Sequence, residues 1–379
     1  MKKTLIAVAA LSAMACSAMA AQVTLSGVVD LGLNYTHVKT GDVKTNSFKM
    51  MSGQNSGSRF MLKGSEELGN DVEVGFQLEN GFNADDGSLS STNRIFHRES
   101  RLYVKTAFGT IHAGRFGGLD AGTGSVSIFG GSDLCAFGTG WGDSIMKESA
   151  VLKGISARYD NSIAYQSPTL AGFTLYLDYS FKNDTSIAGT KDEPSTEGRP
   201  SADRYGAVGL KYVNGAFNAA FVYSRQNYGK YAGYSDTESG NAYSLGAGYD
   251  FGVCKLMAEG QYFDMGKSVS KKTESVAGVA TTTYSLKANQ KGWGGILSVT
   301  APIAAGKVYA SVGYKDAEDV SDSSTDYKLW NVGVAYSYSF SKRTTFYAAA
   351  GYTEDKTEKS SGTTKTKTTE VAMGLVHKF

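Results

Sequence analysis

The sequence predicts an all-β protein, a 16-stranded antiparallel transmembrane β-barrel. Three observations predict this fold: apolar and polar residues alternate along most of the chain, long and short connections alternate between the strands, and an export signal precedes the first strand. The composition agrees, because 46 glycines in 379 residues, without collagen periodicity, indicate many turns or closely packed strands.

The amino-terminal residues have the pattern of a cleaved secretory leader. Two lysines precede an apolar run at residues 5–15, and small residues lead to a cleavage point after Ala20. This run is shorter than the ~20 residues that a membrane-spanning helix needs. We therefore expect a signal peptide at residues 1–20 and a single barrel domain at residues 21–379.

The stretch WNVGVAYSYSF at residues 330–340 shows the strand pattern most clearly, because bulky apolar residues alternate with small or polar ones. Strand side chains point to alternate faces, so the bulky face suits lipid and the small polar face suits a watery lumen. The same pattern recurs at residues 23–35, 173–181 and 370–379. No Asp, Glu, Lys or Arg side chain takes the apolar parity in these four stretches, where a mid-bilayer Lys or Arg would cost roughly 2–4 kcal/mol.

The connections between strands predict the strand number. Eight long polar connections alternate strictly with seven tight ones, which makes fifteen connections and sixteen strands. The long connections lie near residues 36–56, 83–97, 117–155, 182–203, 228–241, 265–290, 315–326 and 355–367. A soluble β-sandwich has no reason to separate its turns by length, whereas a barrel inserted from one side has short turns on that side. Both termini are expected on the short-turn side.

Charge and reactive residues exclude several function classes. Cleavage of the leader removes two of the 38 basic residues and no acidic one, leaving 36 of each sign. A formally neutral chain argues against nucleic acid as a partner. Cys135 and Cys254 form neither a disulfide framework nor a metal motif, although a single disulfide between them stays possible. The four histidines are scattered, so we expect no enzyme, no cofactor and no metal.

Four stretches resemble the general diffusion porins of Gram-negative outer membranes, the group with 16-stranded trimeric barrels. They are residues 56–82, 98–115 and 157–174, and the terminal GLVHKF that ends on Phe379. The terminal phenylalanine is similar to the family's assembly signal. The resemblance implies an outer-membrane homotrimer in contact with lipid and lipopolysaccharide, and passive diffusion of small hydrophilic solutes and ions. It also implies that the third loop, residues 117–155, folds into the lumen.

Basic residues on the lumen-facing parity predict a positively charged wall. Alternation from outward apolar neighbours directs four of them inward, namely Arg59, Lys63, Arg101 and Arg158. We assign Arg98, which matches the family's pore-wall arginine, and Arg115 to the same wall. Strict alternation would turn both outward, so either the strand bends there or these residues lie at strand ends.

The third loop is rich in glycine and supplies the acidic counterpart. Its carboxylates are Asp120, Asp133, Asp143 and Glu148, and SIFGGSD at residues 127–133 resembles the tip of the family's constriction loop. The hypothesis is a field across the pore between basic wall and acidic loop, with a mild anion preference. The alternative is that the loop carboxylates are solvated surface charge.

Two other functions stay open for a barrel of this kind. A substrate-specific channel would be expected to line its lumen with aromatic residues, but the large aromatics here mostly take the outward parity. An adhesin would act through its long loops, such as residues 267–285, although loops of this composition are more often variable surface.

Overall fold

The computed structural model describes residues 23–91, 94–129, 134–135, 141, 145, 148–154, 158–183, 197, 202–229, 236–276 and 279–379. The predicted signal peptide, residues 1–20, lies outside these ranges. One helical turn, α1, covers Glu148–Val151. No helix in the described ranges is both long and apolar enough to cross a bilayer.

The remaining described structure consists mostly of antiparallel strands. Their bounds are β1 Thr24–Thr40, β2 Val43–Ser52, β3 Arg59–Gly69, β4 Val72–Gly81, β5 Glu99–Thr106, β6 Gly109–Gly117, β7 Arg158–Gln166, β8 Phe173–Ser180, β9 Arg204–Asn214, β10 Phe217–Asn227, β11 Gly240–Asp250, β12 Lys255–Asp264, β13 Lys267–Val276, β14 Val279–Ala288, β15 Gln290–Ile303, β16 Gly306–Asp319, β17 Asp326–Ser339, β18 Thr344–Lys359 and β19 Gly362–Lys378.

The strands close into a barrel because β19 pairs with β1. β2 and β3 share one position in the wall, since residues 31–40 of β1 pair with β2 and residues 24–28 pair with β3. β13 and β14 form a separate hairpin, and β12 pairs directly with β15. The described residues therefore form a closed 16-stranded wall, which confirms the predicted strand number.

The two faces of the wall differ as the alternation predicts. In β17, Trp330 and Val334 are 40% and 51% exposed, whereas Asn331 and Gly333 between them are buried. The bulky apolar residues thus form the outer surface, and the small and polar residues point inward. This arrangement fits a barrel whose outside contacts hydrocarbon and whose inside is polar.

Small inward residues make room for the described part of the third loop. A Cβ at Gly294 of β15 would lie 2.3 Å from the carbonyl oxygen of Val151, and one at Gly209 of β9 would lie 2.2 Å from Ile128 Cδ1. Glycine at these positions permits the close approach of another segment to the strand. The loop contacts are therefore built into the small-residue face of the wall.

Several of the long connections differ from the predicted loops, because they are mostly strand. β1 runs to Thr40 before a two-residue turn into β2, and β18 runs to Lys359 before a two-residue turn into β19. Threonine-rich segments such as residues 363–369 have high strand propensity, so the ladder continues through polar sequence. The predicted length asymmetry holds, but extended hairpins produce much of it.

Both described chain ends lie on the side of the tight turns. The Gly27 amide donates a hydrogen bond to the Phe379 carbonyl oxygen at 3.0 Å, and the Phe379 amide donates to the Gly27 carbonyl oxygen at 3.1 Å. Gly27 precedes the part of β1 that pairs with β19, and β3 next to it ends in the short turn to β4. The last residue thus completes the seam of the barrel.

Candidate pore constriction

Six arginines and three carboxylates converge on the inner side of β3–β7 and the connections beside them. The members of this arginine cluster are Arg59, Arg94, Arg98, Arg101, Arg115, Arg158, Glu79, Glu99 and Asp160. Six cations and three anions leave a formal charge of +3 for these described residues. Such an excess in a partly buried place generates a strong local positive potential.

Arg59 and Arg98 share one carboxylate. The Arg98 Nε lies 2.5 Å from Glu79 Oε1, and the Arg59 Nε lies 3.5 Å from the same oxygen. Arg98 stands one residue before β5 begins at Glu99, so strand alternation does not fix its direction. It therefore turns inward even though it has the parity of the outward Leu102.

Arg115 reaches the cluster through a β-bulge. The register between β6 and β7 shifts between Gly114 and Phe116, and Gly114 has φ 131°. A bulge adds an unpaired residue and redirects the side chain there, and glycine adopts a positive φ with little strain. The Arg115 Nη1 donates to Asp160 Oδ1 at 2.6 Å, and its Nε donates to the His97 carbonyl oxygen at 2.7 Å.

Arg101 is the most buried of the described arginines in the cluster. It donates to Glu99 Oε2 at 3.2 Å and to Gln77 Oε1 at 3.0 Å, and its Nη1 lies 2.8 Å from His112 Nδ1. Gln77 and Glu99 share the inward parity of their strands with Arg101. Arg101 is thus locked to the wall rather than extended into the lumen.

Arg158 and Lys63 complete the predicted basic wall. The Arg158 Nη2 donates to Thr123 Oγ1 of the third loop at 3.0 Å, so this arginine joins wall and loop. Lys63 stands opposite Gln77 in the β3–β4 ladder, is exposed, and forms no ion pair with any described acid. The structure therefore brings five of the six predicted basic residues together, whereas Lys63, which stands across Gln77 from Arg101, has no ion pair with a described acid.

His97, one of two described histidines beside the cluster, is affected by both burial and the nearby positive charges. His97 precedes β5, and its Nε2 lies 3.1 Å from Ser90 Oγ. Burial, together with the positive charges of Arg98, Arg158 and Arg115, lowers the pKa of His97 to about 4. His97 is therefore neutral at neutral pH and leaves the charge of the cluster unchanged.

The acidic half of the site differs from the prediction. Asp120 is buried and accepts hydrogen bonds from Tyr205 Oη at 2.9 Å and Ser224 Oγ at 2.5 Å, and burial raises its pKa. Glu148 is buried beside Glu259 of β12. Within the described residues, neither Asp120 nor Glu148 forms an ion pair with the basic wall, because each is held by another part of the barrel.

Asp133 and Asp143 lie outside the described residues. The carboxylates that face the arginines instead belong to the wall and its strands: Glu79, Glu99 and Asp160. Sequence reasoning placed Asp160 inward but missed Glu79 and Glu99. Strand parity could have revealed them. Glu99, for example, lies two residues before Arg101 on β5 and therefore points to the same face.

The described residues of the third loop meet the cluster through two hydroxyl groups and a backbone amide. Ser125 Oγ donates to Glu99 Oε2 at 2.5 Å, and the Ser125 amide donates to Glu99 Oε1 at 2.6 Å. Thr123 accepts from Arg158. These bonds join the described part of the loop to the positive wall and themselves add no negative charge.

Comparisons with known proteins agree with this architecture. A profile of the Gram-negative porin family matches residues 7–358. The chain is 31% identical to an outer membrane porin protein of Bordetella pertussis, covering 100% of both chains. The anion-selective porin from Comamonas acidovorans has a similar fold, with TM-score 0.67, 21% identity, and coverage of 95% of this chain and 100% of that one.

The trimer form of OmpT, an outer membrane protein of Vibrio cholerae, also has a similar fold, with TM-score 0.60, 13% identity, and coverage of 95% of this chain and 100% of that one. The family match spans most of the chain, and the closed wall with its polar inner face is the structure that passive transport across an outer membrane requires. The chain therefore belongs to the Gram-negative porin family and is an outer-membrane channel for passive diffusion rather than an enzyme.

Proposed function

We propose that this porin prefers anions and that the arginine cluster sets the preference. The observation that carries the proposal is the formal excess of three positive charges among the described residues of the arginine cluster on the inner wall. The low-dielectric wall focuses this field and raises the local concentration of anions. The anion-selective porin named above supports the proposal through its fold.

The third loop, residues 117–155, folds into the lumen and forms the narrow part of the channel. The contacts of Thr123 and Ser125 with the arginine cluster support this placement. The contacts of Ile128 with Gly209 and of Val151 with Gly294 also support it, because those glycines lie on β9 and β15, strands of the wall outside the arginine cluster. The solute path then runs past the arginines.

The functional assembly is a homotrimer embedded in outer-membrane lipid and lipopolysaccharide. The related OmpT structure in trimer form supports the oligomeric state. The leader at residues 1–20 is cleaved after Ala20, and Phe379 acts as the signal for barrel assembly. The place of Phe379 at the seam of the barrel supports this role.

Recording from planar bilayers in a KCl gradient tests the selectivity. We expect conductance steps in groups of three and a reversal potential that indicates preference for chloride. Arg59→Ala or Arg158→Ala should each lower the chloride-to-potassium permeability ratio roughly twofold, the combined effect on the two ions of one charge at about 8 Å in water that contains about 0.1 M salt.

The matched control is Lys49→Ala, which removes an exposed lysine of β2 outside the cluster. It should leave the permeability ratio unchanged. A cation-preferring wild type, or equal ratios for Arg158→Ala and wild type, would overturn the proposal. Saturable block by a single sugar would indicate a substrate-specific channel instead.

A further inference from the structure

Three buried side chains meet at the third loop and the wall, away from the arginine cluster. Glu148 begins α1, Cys135 lies earlier in the same loop, and Glu259 points inward from β12. Their exposed fractions are 1%, 1% and 4%. One ligand atom from each, the thiol sulfur and two carboxylate oxygens, lies within 4.8 Å of the others.

The two carboxyl groups of this trio lack, among the described residues, the hydrogen-bond donors that buried carboxylates normally have. None of the four oxygens of Glu148 and Glu259 accepts a hydrogen bond from an N–H or O–H group of the described residues. Asp120, which is equally buried, accepts bonds from Tyr205 and Ser224. Two adjacent carboxylates without donors repel each other, so the pair needs a bound cation or a shared proton.

The thiol of Cys135 favours a bound cation over a shared proton, and it indicates which metal ions would bind. Calcium and magnesium prefer ligand sets made of oxygen, whereas zinc binds cysteine sulfur together with glutamate oxygen. A thiolate and two carboxylates offer three ligands and leave a position for solvent. The ligands come from loop and wall, so a metal here would cross-link them.

We propose that Cys135, Glu148 and Glu259 bind a divalent transition metal, with Zn²⁺ as the best match, and thereby fasten the third loop to β12. Because all three side chains are buried, the metal enters before the loop packs against the wall. The site depends on neither the ion preference of the channel nor its solute, so its test is separate from the selectivity test.

Metal analysis of the assembled protein tests the proposal. The full chain is expressed with its leader in cells supplied with zinc, extracted from outer membranes in detergent, desalted and analysed by mass spectrometry for metals. We expect about one zinc per chain in the wild type, because structural zinc sites bind tightly once formed. Cys135→Ser, Glu148→Gln and Glu259→Gln should each lose most of this zinc.

Cys254→Ser is the matched control, since Cys254 lies in the turn between β11 and β12, outside the trio. It should retain the wild-type zinc content. Migration on unheated gels shows whether each variant still forms the folded barrel, so that loss of metal is read only from folded protein.

Cobalt provides a second readout that identifies the ligands. The protein is unfolded in the presence of a chelator to remove bound metal, and is then refolded with Co²⁺. The wild type and Cys254→Ser should show a thiolate-to-cobalt absorption band, and Cys135→Ser should not. Folded wild-type protein that binds neither zinc nor cobalt would overturn the proposal and assign the glutamate pair a shared proton. Equal metal content in Cys135→Ser and Cys254→Ser would overturn it as well.

Discussion

At the scale of single residues, burial beside the arginine cluster sets the protonation of His97. Burial, and then the positive charges of the neighbouring arginines, lower the pKa of His97 from 6.5 to about 4. The unfolded chain therefore binds a proton at mildly acidic pH that the folded chain does not bind. The contribution of His97 to the free energy of unfolding is complete above pH 6.5 and is lost as the pH falls from 6.5 towards 4.

His97→Gln should remove this loss, because glutamine does not titrate. We expect its unfolding temperature to fall less than that of the wild type when the pH is lowered from 7 to about 4, the end of the titration. Thermal unfolding followed by circular dichroism at several pH values measures the difference. The control is His37→Gln, a change on β1 outside the cluster; the three pH profiles would coincide if His97 had no such role.

Residue-scale prediction from the sequence succeeds where the strand is regular and fails where it is not. Alternation placed Arg101 and Asp160 inward because their strands keep the period of two. Alternation could not predict which way the side chains of Arg98 and Arg115 point, because Arg98 stands before its strand and Arg115 occupies a bulge. The alternation of apolar and polar residues in the sequence marks neither the exact end of a strand nor the position of a bulge.

At the scale of elements, the fit between α1 and the wall depends on glycine. Gly294→Ala would place a methyl carbon 2.3 Å from the Val151 carbonyl oxygen, so α1 must move away from β15. Overpacking of this kind costs about 1–3 kcal/mol. We expect a higher single-channel conductance, because the displaced loop leaves the channel wider.

The matched control for this change is Gly260→Ala on β12, where a Cβ meets nothing within 4 Å. Its conductance and unfolding temperature should match those of the wild type. If Gly294→Ala also conducts like the wild type, the third loop does not depend on this contact for its position.

The pairing of strands was predictable, and the docking of the loop was not. Period-two alternation and turn residues are local signals, and they located the wall strands. Contacts such as Glu148 with Glu259 join residues more than a hundred positions apart, and no periodicity records them. The same holds for Cys135, whose proximity to two glutamates appears only in three dimensions.

At the scale of the whole molecule, closure of the barrel depends on the seam between β1 and β19. The hydrogen bonds between Gly27 and Phe379 form the last pair of that seam. Because a closed barrel has no unpaired edge, losing the final pair exposes backbone groups beside lipid, where water cannot satisfy them.

Deletion of Phe379 should therefore reduce the amount of folded protein in the outer membrane several-fold, while total synthesis stays the same. Unheated gels of outer-membrane fractions measure the folded fraction. Phe340→Leu alters another exposed aromatic residue at the end of β17 and should assemble normally. Equal assembly of the deletion variant and the wild type would show that the final residue has no role in barrel formation.

The long hairpins have a practical consequence. β1 and β2 meet at residues 41–42, and β18 and β19 meet at residues 360–361, each through a two-residue turn with an exposed tip. Exposed tips tolerate added sequence better than any other part of a β-protein. Foreign epitopes grafted into these two tips would be displayed on the surface of the bacterium, on a scaffold whose transport pathway stays intact.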